Sequence, residues 1–122
     1  MGGIIIGYEI GKILNKETIF CERVNKKFTL RRGFAIKKNS KVLIVEDVIT
    51  TGKSSLECVK LIKKSKARLV GFACLIDRSK NKKLRNKIIS QVKLEIPTFN
   101  KKNLPLSLKK IPITKPGSRF LK

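Results

Sequence analysis

The stretch Val42-Leu43-Ile44-Val45-Glu46-Asp47-Val48-Ile49-Thr50-Thr51-Gly52-Lys53-Ser54 joins an apolar run to two adjacent carboxylates and a short polar turn. The run from Lys41 to Val45 is typical of a parallel strand covered on both faces. An amphipathic helix begun by serine follows at Ser54 to Lys64, and a second apolar run lies at Leu69 to Ile76. This order predicts a βαβ unit whose turn lies at the carboxyl edge of the sheet, where α/β proteins bind ligands.

The flanking sequence continues the alternation of helices and strands. The further predicted elements are a turn at Met1 to Gly3 feeding a helix at Ile4 to Leu14, a strand at Thr18 to Cys21, an exposed loop or hairpin at Arg23 to Gly33, a helix around Lys82 to Ile89, a strand around Val92 to Ile96 and an irregular tail after Pro97. No repeat or linker divides the chain. We therefore expect residues 1–122 to form one α/β domain, with a mostly parallel central sheet flanked by helices.

Composition excludes several classes of function. The chain has no His and no Cys-x-x-Cys, which rules out a zinc site by spacing and a Ser-His or Cys-His pair within these residues. The formal net charge of +22 predicts attraction to polyanions, but the lysines are spread along the chain, so a solvated surface is favoured over a nucleic-acid interface. The longest apolar run falls far below the roughly 20 residues that cross a bilayer, and no secretory signal is evident, so we expect no membrane segment and a cytoplasmic location.

The turn Thr50 to Ser54 has the chemistry of a phosphate-binding site. It offers hydroxyl groups, a glycine free to take positive φ, and backbone N–H groups at the start of a helix. An ordinary helix cap is the alternative. A nucleotide-binding P-loop is excluded, because that motif needs glycine five positions before Gly52, where this chain has Asp47.

Glu46 and Asp47 lie before this turn and are separated from it by Val48 and Ile49. Strand alternation predicts that one side chain points into the sheet's interior and the other toward the ligand cleft, unless the backbone has already turned at this point. Two carboxylates would repel a bare phosphate. Their position suits sugar hydroxyls, whose hydrogen bonds they accept, together with Mg²⁺ or a cationic sugar in the transition state.

On these residues, Val42 to Ser54 resembles the PRPP-binding motif of the type I phosphoribosyltransferases. The resemblance implies that Glu46 and Asp47 hold the ribose hydroxyls and act in catalysis. It implies Mg²⁺ bound mainly through PRPP, with no side chain directly assigned as its ligand. The residues it assigns to the 5-phosphate are Thr50, Thr51, Gly52, Lys53 and Ser54.

Three further stretches resemble the orotate phosphoribosyltransferase branch of that family. Met1 to Glu9 resembles the end of the pyrophosphate-binding loop and the helix after it, which gives Gly2 and Gly3 a substrate-binding role. Phe20 to Phe34 resembles the mobile catalytic loop, and Ile111 to Arg119 the carboxyl terminus.

The resemblance also assigns roles to basic side chains. Arg23 and Lys27 would reach the pyrophosphate, with Lys27 the catalytic lysine and Lys26 its rival in register, across the interface of a homodimer. Arg78 would bind the orotate carboxylate, as its planar guanidinium suits. A solvated hairpin and an Arg78 paired with Asp77 are the simpler alternatives.

The sequence departs from the family at its start. A further amino-terminal part is normally present in that family, so the resemblance implies that residues 1–122 are the C-terminal two-thirds of the usual domain. The expected function is transfer of phosphoribose from PRPP to orotate in pyrimidine biosynthesis. The alternatives are a purine phosphoribosyltransferase and a PRPP-sensing or RNA-binding regulator without catalysis.

Overall fold

A computed structural model describes residues 2–25, 27–81, 84 and 87–112. The helices and strands follow one another as α1 (Gly2–Leu14), β1 (Cys21–Val24), β2 (Lys27–Leu30), β3 (Lys41–Ile49), α2 (Lys53–Lys64), β4 (Arg68–Asp77), β5 (Ile88–Lys93), a 3-10 turn (Lys101–Asn103) and a short α3 (Leu106–Lys109). Within these residues no helix is long and apolar enough to cross a bilayer.

The central sheet is parallel and has the strand order β3-β4-β5. The predicted βαβ unit is confirmed, because α2 connects the parallel strands β3 and β4. The register aligns Ile49 with Asp77, and Asp77 with Lys93, so the three strands end along one edge. That edge carries the acidic pair, the polar turn and Arg78, as the α/β prediction requires.

Helices cover both faces of β3, which explains its continuous apolar sequence. On one side Ile44 belongs to the buried core, together with Ile62 of α2 and Phe72 of β4. On the other side α1 lies against the strand: a Cβ on Gly7 would be 3.9 Å from the Cβ of Val45. Alternation along β3 thus directs neighbouring residues to opposite helices.

A separate antiparallel hairpin, β1-β2, pairs Arg23 with Phe28 and Val24 with Lys27. This confirms the exposed hairpin predicted in Arg23 to Gly33. The strand predicted at Thr18 to Cys21 is wrong in position, because only Cys21 finds a partner strand. The Thr18 hydroxyl instead donates a 3.1 Å hydrogen bond to the carbonyl of Gly7 in α1.

Further boundaries differ from the sequence predictions. The strand predicted at Lys41 to Val45 continues to Ile49 and so contains both carboxylates. The tail after Pro97, predicted to be irregular, contains the 3-10 turn and α3. Gly2 and Gly3 belong to the first turn of α1, rather than to a loop before it. The helix predicted around Lys82 to Ile89 cannot extend so far, because β5 begins at Ile88 and pairs with β4 from there. The strand predicted around Val92 to Ile96 therefore starts earlier and ends at Lys93. Residues 82, 83, 85 and 86 lie outside the described residues, as does the tail from 113 onward.

Candidate functional site

The two carboxylates lie on opposite faces of β3, near its end. Glu46 is half-buried on the α2 side, where its Oε1 accepts a 3.2 Å hydrogen bond from the hydroxyl of Ser55. Burial raises the pKa of the Glu46 carboxyl, the bond from Ser55 opposes that rise, and the charge of Asp47 adds to it. Glu46 is thus a carboxylate held in place by a buried partner.

Asp47 faces the amino terminus of α1. A Cβ on Gly2 would lie 1.9 Å from its Oδ2, and one on Gly3 would lie 3.0 Å from the carbonyl oxygen of Val45. Only glycine lets the helix approach the strand this closely. The other carboxylate oxygen, Oδ1, accepts a 2.9 Å hydrogen bond from the backbone N–H of Val48. The predicted substrate-binding glycines therefore do contact the acidic pair.

The polar turn depends on the conformation of Gly52. This residue is buried, has φ 71° and ψ 10°, and is the N-cap of α2 without any side-chain cap hydrogen bond. The prediction that Ser54 begins the helix as its cap is wrong, because the left-handed glycine already reverses the chain and α2 starts at Lys53. The backbone N–H of Lys53 instead reaches the Thr51 hydroxyl at 3.3 Å.

This turn presents its polar groups outward. Thr50, Thr51 and Lys53 are exposed, and Ser54 is half-buried. The first N–H groups of a helix have no acceptor within the helix, so the start of α2 retains donors for an anion. Hydroxyls, N–H donors and a lysine therefore lie at the same end of β3 as the two carboxylates.

Arg78 lies at the same edge, immediately after β4. Its backbone N–H donates a 2.8 Å hydrogen bond to the carbonyl of Ile49, which fixes it next to the end of β3. Its Nε is buried with no hydrogen-bond partner in the described part of the chain, and the same holds for the Ser79 hydroxyl. The Asp77 carboxylate accepts a 2.7 Å bond from the Ser79 N–H. Buried unsatisfied donors are rare, and a ligand that supplies an acceptor would account for them.

The hairpin cations lie beside α2. Arg23 forms a 3.0 Å ion pair with Glu57 and covers the Phe28 ring at 4.3 Å from its centroid. Lys27 is exposed at the start of β2, and Lys26 lies outside the described residues. The hairpin is therefore docked on the helix whose amino terminus forms the polar turn.

Two contacts near the acidic pair were not predicted from the sequence. Ser55 is one, although it shares an inward stripe with Val59 and Ile62 at helical spacing, a pattern that predicts a buried hydroxyl. The other joins Cys21 of β1 to Cys58 of α2. A hydrogen bond between these thiols lowers the pKa of Cys21 and raises that of Cys58. No sequence signal links these two cysteines.

The described residues contain no cluster of three or more His, Cys, Asp or Glu side chains that could hold a metal ion. Glu46 and Asp47 alone supply too few ligands for a cation held by protein groups. A Mg²⁺ ion here would need oxygen atoms from a bound phosphate and from water, which is the coordination that Mg²⁺ commonly adopts.

The chain is 44% identical, over 99% of its length, to an orotate phosphoribosyltransferase of Parvibaculum lavamentivorans. It spans 63% of the length of that relative.

Solved structures share the fold. An adenine phosphoribosyltransferase of Thermoanaerobacter pseudethanolicus matches with a TM-score of 0.60 and 18% identity, over 77% of this chain and 66% of that one. The enzyme of the same name from Leishmania donovani matches with a TM-score of 0.56 and 20% identity, over 75% and 52% of the two chains.

The sequence profile of the phosphoribosyl transferase domain covers residues 10–111, from the middle of α1 to beyond α3. That range includes the parallel sheet, both carboxylates, the left-handed glycine turn and Arg78. The chain therefore belongs to the phosphoribosyl transferase domain family.

Proposed function

We propose that this domain transfers the phosphoribosyl group of PRPP to orotate, giving orotidine 5′-monophosphate and pyrophosphate. The observation that carries the proposal is the arrangement at the end of β3, where Glu46 and Asp47 lie a few residues before the turn formed by the left-handed Gly52. Orotate as the base is supported by the 44% identical relative and by the buried, unpartnered Nε of Arg78, which suits a carboxylate.

In the proposed reaction the bond from C1 of the ribose to the pyrophosphate oxygen breaks, and a bond from C1 to N1 of orotate forms as N1 loses its proton. Glu46 and Asp47 would accept hydrogen bonds from the 2′- and 3′-hydroxyls and stabilise positive charge on the sugar. The turn from Thr50 to Ser54 would bind the 5-phosphate. Arg78 would hold the orotate carboxylate.

The departing pyrophosphate gains negative charge and needs cations. Lys27, with Arg23 and Lys26, would supply them from the hairpin, which would close over the site and exclude water. For Arg23 this role requires that it exchange its ion pair with Glu57 for the pyrophosphate. Gly2 and Gly3 would let the pyrophosphate approach the backbone of α1.

Mg²⁺ would neutralise phosphate charge when bound, carried mainly by PRPP, with no side chain assigned as its ligand. We also propose a homodimer in which the hairpin acts across the interface, in the cytoplasm. No membrane or nucleic-acid partner is part of the proposal.

The test is the loss of orotate absorbance on mixing the purified chain with PRPP, orotate and Mg²⁺. We expect turnover that falls roughly 10- to 100-fold in Asp47→Asn, because charge-assisted hydrogen bonds to the ribose are lost. Glu9→Gln, an exposed carboxylate of α1, is the matched control and should retain activity.

Other outcomes separate the alternatives. Turnover with adenine in place of orotate would indicate a purine enzyme. A folded chain without turnover that binds RNA with a steep salt dependence would indicate a regulator.

A further inference from the structure

The buried hydroxyl of Ser55 contacts Glu46, one of the two carboxylates of the candidate site. Ser55 lies in the first turn of α2 with 2% of its surface exposed. A serine inside a helix often bonds a backbone carbonyl of the preceding turn. Here the Ser55 Oγ donates instead to Oε1 of Glu46, at 3.2 Å, across two different elements. The hydroxyl therefore links the helix to the end of β3.

This link constrains a flexible side chain. A glutamate has three rotatable bonds, and a hydrogen bond to one carboxylate oxygen restricts all of them. Because Ser55 engages Oε1, the second oxygen, Oε2, remains to accept a bond from a ligand. The same link fixes Glu46 relative to the start of α2, and so relative to the turn around Gly52.

We propose that Ser55 is a positioning residue that orients the Glu46 carboxylate toward the ribose hydroxyls of PRPP. This inference rests on the proposed function, and it adds to it a residue outside the polar turn. Ser55 touches no substrate in this role and acts only through Glu46.

The groups around Glu46 oppose its ionisation, and the Ser55 hydroxyl counteracts them. The charge of Asp47 lies next to it on β3, and the thiols of Cys58 on α2 and Cys74 on β4 both experience the charge of Glu46. Burial and Asp47 disfavour the ionised carboxylate, whereas the hydroxyl of Ser55 favours it. Without this donor, Glu46 would be both less ionised and less well oriented.

The experiment compares Ser55→Ala with the parent chain in two binding titrations, using PRPP and inorganic pyrophosphate, each with Mg²⁺. Pyrophosphate has no ribose, so its binding does not use Glu46. We expect about tenfold weaker PRPP binding in Ser55→Ala, since a bond to a charged group is lost, and unchanged pyrophosphate binding. Ser55→Cys, of similar size but a weaker donor, should fall between. Ser65→Ala, at the other end of α2, should match the parent.

Equal weakening of both ligands would overturn the proposal, because it would indicate a structural defect, and so would unchanged PRPP binding. A parent chain that does not bind PRPP would contradict the proposed function instead. The Ser55 contact is then decided separately by a ¹³C-carboxyl NMR titration of Glu46. A higher pKa in Ser55→Ala or Ser55→Cys than in the parent supports the contact, and an identical pKa overturns it.

Discussion

Gly52 provides the sharpest test of how the polar turn is built. Its φ of 71° lies in the left-handed region, and a Cβ at this position would lie 2.0 Å from Cδ1 of Leu84. Leu84 is 2% exposed, so its side chain has little room to move aside. Gly52→Ala therefore combines a backbone penalty with overpacking.

The two penalties can be separated because the chain contains a second left-handed glycine. Gly33 has φ 76°, but a Cβ there would meet nothing within 4 Å. The left-handed conformation costs a non-glycine residue about 1–2 kcal/mol, and this is the whole effect expected for Gly33→Ala. Overpacking adds about 1–3 kcal/mol, so Gly52→Ala should lower the free energy of unfolding by about 2–5 kcal/mol.

Urea denaturation of the parent and both variants, followed by circular dichroism, measures these differences. The difference between the two variants isolates the contact with Leu84. Equal free energies of unfolding for Gly52→Ala and Gly33→Ala would refute the reasoning, because they would show that the space beside Leu84 accepts a methyl group.

Three further outcomes are expected. Glu46→Gln should raise the free energy of unfolding at neutral pH, because the raised pKa of Glu46 means that the fold disfavours its charged form. The stability that this carboxyl contributes is present below its unfolded pKa and is lost as the pH rises through its folded pKa. Urea titrations from pH 4 to 8 would show a smaller pH slope in the variant. Cys21 should react with iodoacetamide before Cys58, because the pKa of Cys21 is lowered and that of Cys58 is raised. Peptide mass spectrometry would contradict this expectation if it found that Cys58 reacted first. A double-mutant cycle on the partly exposed Arg23–Glu57 ion pair should give a coupling free energy below about 1 kcal/mol that falls with added salt. A larger coupling free energy that does not depend on salt would argue against a screened surface pair.

Much of the fold and of the candidate site could be predicted from the sequence. The period of the amphipathic pattern specifies α2 as a helix, whereas the apolar run of β3 is assigned to a strand by its short length and its β-branched residues. The glycine turn follows from its position between those two elements, and the carboxylates from their position near the end of β3. Their assignment to phosphoribosyl chemistry came from resemblance, not from periodicity.

The remaining features depend on contacts distant in sequence. The segment around Ile88 is a short apolar run, and periodicity alone does not distinguish a helix from a strand in such a run. Its pairing with Phe72 of β4 makes it a strand. The start of α2 at Lys53 depends on the backbone of Gly52, which needs no serine cap. The contact of Cys21 with Cys58 joins a hairpin to a helix, and no local pattern encodes it.

The outer strand β5 has a consequence for the behaviour of this chain in solution. It lies at an edge of the described sheet, so its backbone can pair with a strand of another copy. The side chain of Ile89 is 76% exposed and can pack against that copy. The charge of +22 opposes such an encounter by mutual repulsion. Salt reduces that repulsion, since the screening length falls from about 10 Å at 0.1 M to about 3 Å at 1 M. We therefore expect added salt to favour association of copies through β5 over dispersed chains.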